Sequence, residues 1–288
     1  MASPRDLRRR IKSIRGTAQI TKAMQMVAAS KMRRAQQAAL SAIPFASRLY
    51  RIQRSATTGT SDFRHPLVEE RPVRRRAVVL VSADKGLCGP LNTNVLRVAA
   101  KYDPETTVYI TAGRKAAQFV ARSKRKLEAE FSYSDTPTFG EAKAIAVAAR
   151  DLFLNGTVDE VHIVATRFVN TLTQEPVTIE YLPVGKIKDT KLPGVDVQDE
   201  RPGDQTEVIF EPSAPELLGY LLRHYLNIYL YFVLLNAKAS EQSARMVSMK
   251  NATDNANDLI KDLTLEYNKL RQGNITKELL EIAGGQAQ

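Results

Sequence analysis

Apolar and small residues recur along the N-terminal segment at alternating steps of four and three: Leu7, Ile11, Ile14, Ala18, Thr21, Gln25, Ala28, Met32, Ala35 and Ala39. This spacing lays one stripe along a helix and describes the seam of a left-handed coiled coil. The helix opens with Ser3 as N-cap, Pro4 at the first helical position and Asp6 completing a capping pattern. Pro44 lacks a backbone donor and is expected to kink or interrupt it. The C-terminal segment repeats the device. A start signal at residues 213–216 is followed by no further proline, and Met246, Met249, Thr253, Ala256, Ile260, Leu263, Tyr267 and Leu270 again alternate by three and four. Gly284 and Gly285 end that helix. At 1.5 Å per residue the two helices would span roughly 70 and 100 Å. Two seams on one chain zip together most simply as an antiparallel pair.

The middle of the chain has another texture. Residues 77–81 form a buried-strand run, followed by a glycine-bearing loop at 85–90 and a helical stretch over 91–102. A strand at 107–111, a helix at 114–122, a longer helix at 139–154, a strand at 161–165 and an edge strand at 177–182 complete the pattern. Strands alternating with helices predict an α/β domain with a largely parallel sheet. The expected division is a helix over 1–56, a linker over 57–76, the α/β domain over 77–206 and the second coil helix over 207–288.

Charge changes the picture because of where it sits. Residues 1–54 hold thirteen Lys/Arg against Asp6 alone, which accounts for the whole net charge of +11. Such a block seeks an acidic partner: nucleic acid, anionic lipid or acidic protein loops. Up to Arg34 the basic residues fall off the seam, on several sides of the helix. Ile20, Met24, Met26 and Val27 also point away from it, as do Leu279, Leu280, Ile282 and Ala283 at the far end. A helix apolar on every side is buried on every side. Either the α/β domain folds back over it, or a sleeve of other subunits surrounds it. A nucleic-acid-binding arm is the rival reading. It would need interleaved aromatics for base stacking, and residues 1–44 contain none.

Site chemistry is sparse. The loop after residue 81 lacks G-x-G-x-x-G, and Lys85-Gly86 has the wrong order for a phosphate loop. Cys88, the single cysteine, excludes an intramolecular disulfide and reads as a packed thiol. His65, His162 and His224 are scattered, and His162, set in an apolar strand, reads as a satisfied core histidine. No cofactor, metal site or catalytic residue is expected. The apolar run at 226–237 is too short to span a bilayer and is broken by Asn227 and Asn236. The N-terminus carries no secretion signal.

Four segments carry a resemblance: ITKAMQMVAASKMRRAQ (20–36), SADKGLCG (82–89), SEQSARMVSMKNATDNA (240–256), and YNKLRQ (267–272) with Ile275-Thr276. In this order they resemble the gamma-subunit family of F-type ATP synthases. The resemblance implies terminal helices wound as an antiparallel coiled coil over a Rossmann-like domain. It implies a central rotor shaft, not itself an enzyme, coupling proton flow through the membrane sector to ATP synthesis or hydrolysis. The implied partners are the alpha and beta subunits of the head, the epsilon subunit and the membrane c-ring. One copy per complex is implied, with no nucleic acid. Contacts with the alpha–beta ring would fall on Met24, Arg33, Arg34, Arg245, Gln272 and Thr276. Gly273, Lys238 and Glu266 depart from the family's habit, and the paired-cysteine insert of chloroplast forms is missing. The absence of a transit peptide favours a bacterial source and a peripheral place on the cytoplasmic face of the inner membrane.

Overall fold

The computed structural model describes residues 3–58, 65–184 and 214–285, without side-chain detail at 42–43, 45–58, 214–217, 277–278 and 281–285. The end of the expected α/β domain, from 185 to 206, therefore lies outside the described residues. Element order is α1 (Pro4–Thr58), β1 (Arg76–Val81), α2 (Leu91–Ala99), β2 (Thr107–Ala112), α3 (Arg114–Arg122), β3 (Lys126–Phe131), α4 (Phe139–Leu154), β4 (Glu160–Phe168), β5 (Gln174–Leu182) and α5 (Ala214–Gly285). At 55 and 72 residues, α1 and α5 dwarf the rest. Contacts divide the chain into two compact units, one of residues 1–29 with 245–288 and one of residues 30–244. Packing thus divides the chain inside the long helices, not at their ends.

The first unit is made from helix alone. Asp6 donates its backbone N–H to Ser3 Oγ at 3.2 Å, so the predicted cap closes α1. Leu7, Ala18 and Ala28 of α1 are buried, as are Met249, Thr253, Ala256 and Leu263 of α5. Ile11, Ile14, Met246, Ile260, Tyr267 and Leu270 are half-buried. The hydroxyls of Thr21 and Thr253 meet at 2.7 Å, joining the two helices through side chains short enough for close approach. Thr253 also donates back to the Met249 carbonyl or accepts from Thr21, which satisfies a buried polar group inside the stripe.

The second unit is a three-layer α/β domain. Its sheet runs β3-β2-β1-β4-β5, with β1, β2, β3 and β4 parallel and β5 antiparallel on β4. Alternate residues of each strand feed opposite faces. Ala77, Val79, Val81, Ile110 and Ile163 pack beneath α4 and residues 221–237 of α5. Val78, Leu80, Tyr109 and Val164 pack beneath α2 and α3. The apolar run at 226–237 therefore covers a sheet face, and α5 serves both units. Burying each such leucine or valine contributes about 1.5–3 kcal/mol. At the start of α4, Thr138 and Glu141 form a reciprocal capping box.

Two expectations change. Helix α1 is not interrupted at Pro44, which lies inside it; one missing donor does not end a long helix whose turns on either side propagate cooperatively. Strand β3 was not foreseen. Its apolar Leu127, Ala129 and Phe131 alternate with Lys126, Glu128 and Glu130, the charge-protected pattern of a sheet edge. Among the described residues no helix is long and apolar enough to cross a membrane.

Candidate functional site

The place where an open α/β sheet binds ligands is the crevice at the C-terminal end of β1, where the strand order reverses between β1 and β4. Beside it, on the β2 side of β1, protein groups bind one another. Ala116 N–H donates to Ser82 Oγ at 2.7 Å, Arg114 N–H to Asp84 Oδ1 at 2.9 Å, and Lys115 N–H to the Ala83 carbonyl at 3.2 Å. The first donors of α3, which would cradle a phosphate, are consumed, one of them by a carboxylate. Gly113 sits at φ +99°, and a Cβ there would fall 2.2 Å from the Ser82 carbonyl oxygen. That glycine lets β2 turn into α3 against the end of β1. Tyr133 O–H donates to the same carbonyl at 2.9 Å. Cys88 packs with Leu91 and Ala244, and Asn92 donates to its sulfur at 3.3 Å. In this loop Gly89 sits at φ +58°, a turn conformation that glycine adopts readily.

The surface of the helices is the more informative feature. On α1, Ile20, Met26 and Val27 are 62%, 60% and 55% exposed, although each is a large apolar residue. On α5, Leu265, Leu279 and Leu280 are exposed likewise. Arg5, Arg8, Arg9, Arg10, Lys12, Arg15 and Lys22 are exposed around the same part of α1. Of the expected contact residues, Arg33, Arg34, Gln272 and Thr276 are exposed, while Met24 and Arg245 are half-buried. Thr276 Oγ1 donates to the Gln272 carbonyl at 2.9 Å, which holds those two together. Among the described residues neither Arg33 nor Arg34 makes an ion pair. Apolar side chains held in water beside unpaired cations mark a surface built to be covered.

The sequence profile of the family described as ATP synthase matches residues 3–287. An ATP synthase gamma chain of Opitutus terrae is 44% identical over 290 residues, covering 99% of this chain and 98% of the relative. One of Desulforamulus reducens is likewise 44% identical over 290 residues, covering 100% and 99%. The chain belongs to the ATP synthase gamma-chain family. Its place is that of a non-catalytic stalk subunit. Solved structures share the fold. A chain from the Euglena gracilis mitochondrial ATP synthase, OSCP/F1/c-ring in rotational state 3, superposes with a TM-score of 0.64 at 21% identity, covering 99% of this chain and 93% of that one. A chain of the Tetrahymena thermophila mitochondrial central stalk/c-ring gives 0.57 at 23% identity, covering 81% and 99%.

Two groupings were missed in the sequence. Lys238 is not an apolar position gone astray. Its ammonium lies 3.0 Å from Glu241 Oε2, 3.7 Å from Asp135 Oδ1 and 4.8 Å from the centre of the Tyr133 ring. The hydrogen bond from Lys31 holds the Asp135 carboxyl below the usual range, and burial pushes the Tyr133 phenol well up. The i, i+3 spacing of Lys238 and Glu241 was the available signal. The second grouping is Glu160, His162 and Glu180, on neighbouring strands; the alternation of β4 with β5 was its signal.

Proposed function

We propose that the terminal helices wind as an antiparallel left-handed coiled coil and turn as the rotor shaft inside a ring of alpha and beta subunits. Rotation would couple proton flow through a membrane ring to ATP synthesis or hydrolysis in the head. The observation that carries this reading is the exposed apolar and cationic surface of α1 in a chain of the gamma family. The small residues of the two stripes, and the Thr21–Thr253 contact, support close helix pairing. Met24, Arg245, Gln272 and Thr276 would bear on the apolar sleeve of the ring, and Arg33 and Arg34 on acidic beta-subunit loops. A Rossmann-like α/β domain would engage the epsilon subunit and the c-ring, placing the chain peripherally on the cytoplasmic face of a bacterial inner membrane.

The test is reconstitution of Arg33→Glu with Arg34→Glu alongside the native chain. Exposed charges add little to folding, so helicity should be unchanged. Assembly with the alpha–beta ring should weaken, and the difference should shrink as salt rises, because screening acts over about 8 Å at physiological ionic strength. Unaltered assembly at low salt would remove these arginines from the interface.

A further inference from the structure

We propose that Glu160, His162 and Glu180 form a binding site for a borderline divalent transition metal, Zn2+ by preference, on the α2 face of the sheet. Glu160 and His162 are two apart on β4 and leave the strand on one face, and Glu180 of β5 stands directly opposite His162. One ligating atom from each lies within 4.8 Å of the others, a spread that a cation closes by drawing each to about 2.0–2.2 Å.

The surroundings orient these groups for a cation. His162 Nδ1 lies 2.8 Å from Tyr102 Oη. With its proton on Nδ1, His162 donates to Tyr102 Oη. That tautomer leaves the Nε2 lone pair for a ligand, as an outer-shell partner does at a metal-binding histidine. Nε2 is buried without a hydrogen-bond partner and stands 3.2 Å from Glu160 Oε1. At that distance the two atoms are held together by a proton on Nε2 or by a metal cation between them. Arg76 Nε holds Glu160 Oε2 at 2.6 Å, which steadies the carboxylate and leaves Oε1 to ligate. Glu180 is exposed and gives an entry side.

One nitrogen and two oxygens with room for water make an open tetrahedral set. Mixed N/O donors favour Zn2+ over Mg2+ and Ca2+, which seek all-oxygen shells. This site is independent of the shaft role.

The experiment is titration of the tag-free full chain with ZnCl2 by isothermal calorimetry, with Co2+ visible absorption as a second readout. One Zn2+ per chain is expected, unaffected by excess Mg2+. Tyr102→Phe should weaken binding about 10–100-fold. Glu180→Gln, a surface change that leaves folding alone, and His162→Gln should each weaken it further, whereas His224→Gln should change nothing. The absence of saturable binding would overturn the proposal, as would binding that survives Glu180→Gln and His162→Gln. Loss of binding on His224→Gln, or displacement by Mg2+, would do the same, and the trio would then be a histidine–carboxylate ion pair alone.

Discussion

Replacing Lys238 with alanine should cost about 3–5 kcal/mol, because it removes the cation that faces the buried Glu241 carboxylate. The side chains of Lys238 and Glu241 are only 3% and 5% exposed, and 3.0 Å separates their charged atoms. The partly exposed Asp135 carboxylate lies farther away, at 3.7 Å. Loss of the ammonium also removes its contact with the Tyr133 ring, worth about 0.5–2 kcal/mol. The pair is costly to break but not thereby a source of net stability. Lys238→Met combined with Glu241→Leu should recover most of the loss, and similar replacements of buried pairs have ranged from neutral to about 1–4 kcal/mol stabilising. The native chain, Lys238→Ala and the double variant can be compared by urea unfolding, followed by far-UV circular dichroism and tyrosine fluorescence, since the chain has ten tyrosines and no tryptophan. A loss below about 1 kcal/mol in Lys238→Ala would refute the burial-driven account. So would a double variant no more stable than the single one.

Gly113→Ala should destabilise the α/β unit by at least about 1–3 kcal/mol from backbone strain alone. Its Cβ also meets the Ser82 carbonyl; a melting temperature equal to the native one would show that the β2–α3 turn is not as described. Burial would raise the Glu141 carboxyl, but hydrogen bonds from Thr138 and Ser134 outweigh it and hold it low. A depressed folded pKa gives stability that is complete above the unfolded value, about 4.3, and is lost as pH falls through the folded one. The gap in stability between the native chain and Glu141→Ala, about 1 kcal/mol at neutral pH, should therefore close in acid. A gap that persists there would assign it to packing.

Much of this fold is legible in the sequence because single periodicities dominate single elements. The four-three stripe of α1 and the apolar run of β1 each report one environment. Helix α5 defeats that approach. Its residues 221–237 are buried beneath a sheet while Met249, Thr253 and Ala256 follow a narrow stripe, so one uninterrupted helix carries two patterns and no local signal marks the change. Strand β3 was obscured by its charged half, the polar side of an edge. The groupings around Lys238 and His162 join residues that are distant in sequence, such as Asp135 with Lys238, and only the folded chain brings them together. The expected contacts at Gln272 and Thr276 rest on resemblance, since an exposed polar residue on a helix carries no periodic signature of its partner.

The rotor claim is tested most directly by watching the chain turn. Cys88 is 1% exposed, so a Cys88→Ser variant with a single new cysteine at exposed Lys101 offers one labelling point on the α/β unit. A probe attached there, on a reconstituted alpha–beta ring fixed to a surface, should rotate in one direction when ATP is added. It should pause three times per turn, following the three-fold symmetry of the ring. ATP hydrolysis by the assembled complex with a stationary probe would contradict the account.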